Sequence, residues 1–336
     1  MVVVRHNEEF EKKYFFYSVK FWESYLKGQT TGSGIPHIDK NVFGNLEIFL
    51  FEIENQKKIA TVLSTVDRAI AQTEALIAKQ QCIKTGLMQD LLTKGIDENG
   101  NIRSEATHRF KDSPLGRIPE EWEVDMVVNF ASQEPNSTAI GPFGSNLLAS
   151  DYRDEDVPVV FVRDIVSKAF VWLSNVFVSE LKASELKSHR VNPGDVIATK
   201  MGLPPCIAAV YPKDMPSGVI TADVIKLTPD ADLALAEWIA MFLNSEAVRS
   251  QVREITGGVT RPKITFKDFR SLLLALPKIE EQKQTLLLIQ EVEKEIETQL
   301  AYLRKQHSTK IGLMQDLLTG KVPITPLLEP PPVGQT

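Results

Sequence analysis

The 336-residue sequence predicts an α+β chain: one complete mixed α/β domain plus two long helices forming an antiparallel coiled coil. Three observations lead there. The octapeptide GLMQDLLT occurs twice, as Gly86–Thr93 and as Gly312–Thr319. Each copy ends a stretch whose apolar residues recur at three- and four-residue steps, the period of an amphipathic helix. Between the copies, strand-like runs come first and a helical stretch last, the order expected of an α+β unit.

The octapeptide closes a longer repeat. From Ile53 and from Ile279, 44 positions align without a gap at an offset of 226, and 18 of them are identical. Residues 53–95 are therefore read as a first helix, with a stripe of Ile59, Val62, Leu63, Val66, Ile70, Leu76, Ile77, Ile83 and Leu87. Residues 279–321 are read as a second, with Leu288, Ile289, Val292, Ile296, Leu300, Leu303 and Leu313. Each spans roughly 35 residues, or about 50 Å at a rise of ~1.5 Å per residue. So narrow a stripe cannot bury itself and calls for a similar helix alongside. The other copy is the natural partner, and a domain between the two favours an antiparallel return.

Residues 1–52 open with a strand-like run, Val2–Arg5, and an aromatic stretch, Tyr14–Leu26. The offset of 226 also holds here. Gly32–Ile38 lies on Gly258–Ile264, Pro36 on Pro262, Phe43 on Phe269 and Leu46 on Leu272. Residues 1–52 thus read as the tail of a domain whose complete copy follows. Residues 96–113 read as a linker rich in Gly, Asn and charge, and 114–278 as the complete domain, with Trp122 at its entrance. Strands are expected at 157–162, 168–173, 194–199, 205–211 and 218–227, separated by turns such as Asn192-Pro193-Gly194-Asp195, and a helical stretch at 234–252. Residues 322–336 form a Pro-rich tail expected to be disordered.

Composition narrows the function. An apolar fraction of 43%, a charged fraction of 24% and a net charge of −6 are those of an ordinary soluble chain. No run approaches the ~18 apolar residues of a membrane span and the start does not read as a signal peptide, so a cytoplasmic location with no membrane partner is expected. Cys82 and Cys206 stand alone, which argues against a disulfide framework or zinc site, and the five histidines are scattered. Phosphate-binding GxxxxGK[ST], HExxH, GxSxG, Asn-Pro-Pro-aromatic and glycine-rich dinucleotide patterns are missing, so no cofactor is expected. Asp164 with Glu180 and Lys182 has the residue types of a metal-dependent nuclease, although Glu-x-Lys recurs at Glu185 and Lys187 in a charged stretch.

Two loops have another character. In Gly141–Tyr152, Gly141, Phe143, Gly144, Ser145 and Asn146 combine close backbone approach with small polar groups and one aromatic. In Ile255–Lys263, Gly257 and Gly258 accompany Thr260, Arg261 and Lys263. Such loops can approach a phosphate backbone or aim polar groups at base edges. Seven Lys/Arg between Arg249 and Lys278, against Glu254 and Asp268, add a local basic surplus.

FKDSPLGRIPEEWE, GPFGSNLLASDY followed by PVVFVRDI, NPGDVIATKMG, the TGG…PKI loop and the IEEQK…GLMQDLLT helix occur in the order seen in the specificity subunit of type I restriction-modification systems, which this chain resembles over about residues 1–322. The resemblance implies two target recognition domains separated by two conserved spacer helices. Each domain reads one half of a bipartite DNA sequence, and the subunit has no catalytic residue of its own. It also implies methyltransferase (M) subunits docked on the helices and motor-nuclease (R) subunits in the larger complex. On this reading 1–52 is the C-terminal remnant of a first target recognition domain and 114–278 a complete one. Two copies associating through their helices would then rebuild a two-domain reader with a palindromic target. The DNA-facing residues expected are Gly141, Phe143, Gly144, Ser145, Asn146, Arg163, Lys200, Thr260, Arg261 and Lys263. Gly202-Leu203-Pro204-Pro205-Cys206 departs from the glycine-rich turn the family pattern would place there. A coiled-coil scaffold without DNA specificity is the competing expectation.

Overall fold

The computed structural model describes residues 10–29, 40–258 and 260–323. The expected strand Val2–Arg5, the repeat segment Gly32–Ile38 and most of the Pro-rich tail lie outside the described residues. The chain divides into two compact units, 1–82 with 293–336, and 83–292.

Two helices, Ile53–Thr93 and Ile279–Leu318, run through both units. At 41 and 40 residues they are longer than the periodicity suggested, because Gly86 and Gly312 sit inside them. In the first unit Ile59, Ala60 and Leu63 pack with Met314, Leu317 and Leu318, and Lys310 Nζ lies 2.6 Å from Asp67. In the second, Leu91 packs with Ile289. Rising numbers on one helix meet falling numbers on the other, so the pair is antiparallel. Leu76 and Ile83, expected in the seam, are instead exposed (42% and 51%). The buried positions Ile59, Leu63, Ile70 and Ile77 keep close to a seven-residue seam, which leaves both outside it.

The first unit adds helices Lys12–Phe21 and Glu23–Gly28, built from the aromatic stretch, and a short helix Lys40–Gly44. Several details repeat in the second unit at the offset of 226. Lys40–Gly44 corresponds to the helix Phe266–Ser271. Gln56 donates to the Phe51 carbonyl as Gln282 does to that of Pro277, at 2.8 and 2.9 Å. Ser18 Oγ donates to Tyr14 O where Asn244 Nδ2 donates to Ala240 O.

In the second unit, a five-stranded sheet runs in the order Arg190–Val191, Gly218–Ile220, Val157–Val160, Phe177–Val178 and Tyr152–Arg153. Its Gly218–Ile220 and Val157–Val160 pair is parallel, with Val219 opposite Val159. A four-stranded antiparallel sheet runs Ala208–Val210, Val196–Thr199, Val224–Leu227 and Thr138–Ile140. Val157–Val160, Val196–Thr199 and Val224–Leu227 are buried at every position, which accounts for their mostly apolar, non-alternating sequences; the charged exception, Lys226, lies 3.6 Å from buried Asp195. The expected strand 218–227 is two strands, bent at Thr221–Asp223. The expected 168–173 strand shrinks to Ala169–Phe170. The single helical stretch becomes Ala236–Leu243 and Glu246–Ile255. Asn244 breaks it by exchanging hydrogen bonds with both backbone groups of Ala208, and Ser245 caps the second helix.

Trp122 and Trp238, both fully buried and edge-to-face at 5.8 Å, anchor the core. The stretch expected as a linker is ordered: Ile96 bridges Ile102, and Arg103 is buried against Glu281 at 2.5 Å. Glu281 also accepts from Ile96 N (3.0 Å) and Trp122 Nε1 (3.2 Å). Gly95, at φ +61°, passes so close that a Cβ would lie 2.1 Å from Glu281 Oε1. The expected boundary at 113/114 falls within a hairpin of Phe110–Ser113 with Gly116–Pro119.

Candidate nucleic-acid interface

Three segments far apart in sequence meet at one end of the four-stranded sheet. The first leaves strand Thr138–Ile140. Gly141 donates to Val224 O at 3.2 Å and is buried, and a Cβ there would sit 2.1 Å from the Thr221 carbonyl carbon. Gly141 is thus a positioning residue and not part of the exposed surface expected of it: only glycine lets the two backbones cross. Phe143 then emerges 56% exposed, followed by a 3-10 turn Gly144–Asn146 whose three residues are all exposed. Gly144 takes φ +62°, which favours glycine at the tip.

The second segment is Lys200, at the end of strand Val196–Thr199. Its N–H donates to Asp223 O (2.7 Å) and its carbonyl accepts from Ile264 N (3.1 Å). Its ammonium lies 4.7 Å from the centre of the Phe143 ring, a cation–π contact. The third is the Gly257–Lys263 loop. Gly257 and Lys263 exchange backbone hydrogen bonds of 3.1 and 3.0 Å, and Gly202 N donates to Pro262 O at 3.1 Å. The Gly202–Cys206 turn, which departs from the family pattern, therefore abuts this loop directly. Thr260, Arg261 and Lys263 are exposed.

Arg163 completes the surface from the five-stranded sheet. It sits in the 3-10 turn Val162–Asp164, with its guanidinium 4.1 Å from the Phe161 ring centre. A concavity of about 540 Å³ beside it is lined by Gly144, Tyr152, Phe161, Arg163, Thr221 and Asp223 among others. Asp223 supplies the carbonyl that fixes Lys200, so the concavity adjoins the lysine and the Phe143 loop. Among the described residues, none of Arg163, Lys200, Arg261 and Lys263 forms an ion pair with a carboxylate. Four unneutralised cations, two aromatic faces and small polar groups on one surface suit a polyanion carrying flat bases.

Other sequence expectations are redirected. Asp164 is fully buried and accepts from Phe161 N, Leu173 N, Ser174 N and Ser174 Oγ at 2.7–3.0 Å, which holds the turn that carries Arg163. Glu180 pairs with Arg190, and Lys182 with Asp151 and Glu185, so the three residues of the nuclease pattern are engaged with separate structural partners. Arg249, counted in the basic surplus, is turned inward onto the carbonyls of Pro205, Cys206 and Leu243, and Arg253 pairs with Glu246 at 2.6 Å. Sequence reasoning missed Phe161 and Tyr152, whose rings meet at 5.9 Å. The signal was the Phe-x-Arg spacing at the end of strand Val157–Val160.

The comparisons with known proteins agree with one another. The family of the type I restriction modification DNA specificity domain matches residues 1–80 and 156–302. The MjaVIII specificity subunit of Methanocaldococcus jannaschii is 27% identical over 320 residues, covering 94% of this chain and 71% of that protein. The EcoBI specificity subunit of Escherichia coli is 20% identical over 308 residues, covering 88% and 63%. The chain thus spans only part of the length of its curated relatives. In fold it is similar to the HsdS subunit from Thermoanaerobacter tengcongensis, with a TM-score of 0.52 at 16% identity, covering 95% of this chain and 73% of that one. A chain solved in work on complex assembly and conformational transition of the type I R-M system gives 0.62 at 17% identity, covering 95% and 74%. With matches over 1–80 and 156–302, more than half of its length, this chain belongs to the type I restriction-modification DNA specificity family.

Proposed function

We propose that the surface around Phe143, Lys200 and the Gly257–Lys263 loop reads one half of a bipartite DNA target. The observation that carries this reading is the convergence of three sequence-distant loops, bearing Lys200, Arg261 and Lys263, beside the turn that carries Arg163, with no carboxylate ion pair to any of the four cations among the described residues. Phe143, Ser145, Asn146, Arg163, Lys200, Thr260, Arg261 and Lys263 are the DNA-facing side chains, with Gly141 and Gly144 shaping the first loop. Family membership supports the reading, since its curated relatives are specificity subunits, the non-catalytic components of restriction enzymes.

The two long helices serve as spacer and docking platform for methyltransferase subunits, with motor-nuclease subunits joining the larger complex. Leu76 and Tyr302 support this: they are equivalent under the repeat and both exposed, at 42% and 54%. Residues 1–52 are the tail of a recognition domain whose complete copy is 114–278, and two chains meeting through their helices would present two equal readers. Among the described residues, no helix is long and apolar enough to cross a membrane.

The test is selection from a random DNA library by the chain bound to the methyltransferase subunit of its own system. Enrichment of a defined motif is expected. Retention of DNA without enrichment would leave a scaffold and defeat the proposal.

A further inference from the structure

The turn Gly202–Cys206, where the chain departs from its family pattern, is built around one exposed leucine. It follows strand Val196–Thr199 and leads into strand Ala208–Val210. Its base is closed at Thr199, whose carbonyl accepts from Cys206 N at 2.6 Å and whose Oγ1 accepts from Ile207 N at 3.0 Å. Thr199 and Cys206 are both buried. Arg249 donates to the carbonyls of Pro205 and Cys206, and Gly202 N donates to Pro262 O. Gly202 also lets the chain double back, since a Cβ there would lie 2.9 Å from the Pro204 carbonyl oxygen. Pro204 and Pro205 fix two further φ angles. In the middle of this pinned segment Leu203 stands 85% exposed.

A single exposed leucine means little by itself. The surroundings of this one give it meaning. Lys200 lies just before the turn, Met201 bridges Lys263, and Pro262, next to Arg261, accepts from Gly202. An apolar side chain is therefore held among three of the cations assigned to DNA. Its backbone has little freedom left to lose on binding. Leucine has no donor or acceptor, so it adds nothing to a phosphate contact. The apolar group that base edges present in the major groove is the thymine 5-methyl, and apolar side chains read it by covering it.

We propose that Leu203 reads a thymine in the target half-site by covering its 5-methyl group. The inference rests on the DNA-reading function proposed above and adds to it a residue of different chemistry. Lys200, Arg261 and Lys263 supply charge, and Leu203 recognises a methyl. The inward-turned Arg249 then holds the backbone that carries the reader.

The experiment uses the intact chain bound to the methyltransferase subunit of its own system, and the DNA motif that this complex enriches from a random library. Each thymine of the motif, on either strand, is replaced in turn by deoxyuridine, which removes the methyl and keeps every hydrogen-bonding group. At one position the wild-type complex should bind about four-fold more weakly, the worth of one buried methyl. Leu203→Ala should bind thymine DNA at least as weakly and lose nothing more on deoxyuridine at that position, the non-additivity expected of two groups in contact. Leu203→Met should keep the discrimination. Leu203 is exposed, so neither change disturbs the core. Wild-type binding indifferent to every deoxyuridine would overturn the proposal, and so would a methyl effect that persists in Leu203→Ala. A complex that enriches no motif would defeat the base-reading function and this inference together, whereas an enriched motif without methyl dependence would defeat this inference alone.

Discussion

Glu281→Ala removes the acceptor on which Ile96, Arg103 and Trp122 converge, and the structure sets the size of the loss. Glu281 is 12% exposed and its partner Arg103 7%, with a bidentate contact of 2.5 and 3.0 Å. Deleting one member of such a buried pair typically costs about 3–5 kcal/mol, because the remaining charge stays out of water. Ile96 N–H and Trp122 Nε1–H lose their acceptor in the same step, adding on the order of 1 kcal/mol each. Because Glu121 still faces Arg103 at 3.3 Å, the lower end applies and the expected loss is about 5 kcal/mol, comparable with the whole stability of many domains. Asn55 is the repeat-equivalent residue on the first helix, and Asn55→Ala should cost under about 1 kcal/mol. Urea unfolding followed by tryptophan fluorescence measures both, since the Trp122 indole touches the altered group. Replacing both partners, Arg103→Met with Glu281→Leu, should recover most of the loss, because it removes the stranded charge together with its partner. If Glu281→Ala costs no more than Asn55→Ala, the node is not the structural joint described.

Three further outcomes are expected. Burial pushes the Cys206 thiol up to about 12, so in the native protein alkylation with peptide mapping should modify exposed Cys82 and spare Cys206; equal labelling would contradict the buried turn. Burial raises the Asp67 carboxyl, but hydrogen bonds from Lys310 and Tyr17 outweigh it and hold it below its ordinary value. Its stabilisation is then present at neutral pH and disappears as pH falls through the depressed value. Asp67→Asn should lower Tm at neutral pH by an amount worth about 1 kcal/mol or less, given the pair's partial exposure, and the difference should vanish in acid. Gly141→Ala places a methyl against the Thr221 backbone, which should cost about 1–3 kcal/mol in thermal unfolding and weaken DNA binding by displacing the Phe143 loop; an unchanged Tm would show that the crossing has slack.

The architecture was largely legible because a repeat with helical period needs no tertiary information. The strand runs 157–162, 194–199 and 205–211 were legible for a related reason, since their apolar residues are continuous where both faces are covered. What escaped was set by partners remote in sequence. Nothing local marks the bend at Thr221–Asp223, yet it supplies the carbonyl that positions Lys200. Asp164 has a residue type found in catalytic sites, but its structural role was not legible because its partners are mostly backbone N–H groups, which a sequence does not display. Arg249 looked solvent-facing because arginine usually is, but here it satisfies the carbonyls of the turn ending at Cys206. Leu76 and Ile83 fitted the stripe by spacing, while the two-helix seam selects fewer positions than the apolar residues available. For the candidate surface, residue types pointed to loops that the fold brings together. That Lys200 stacks on Phe143, and that both adjoin Lys263 through Gly202 and Pro262, is a product of the fold.

The central claim is that this surface reads bases and does not merely hold phosphates. The most direct measurement repeats the library selection with Arg261→Ala and Lys200→Ala, each bound to the methyltransferase subunit, and records both the enriched motif and the salt dependence of binding. A base-reading side chain contributes about 1–3 kcal/mol of discrimination, so its loss should erase preference at one position of the motif. A phosphate contact should instead weaken all sequences alike and reduce the salt slope by about one unit. The account predicts that at least one variant loses preference at a single position of the motif. An unchanged motif in both variants, whatever happens to affinity and salt slope, would contradict it.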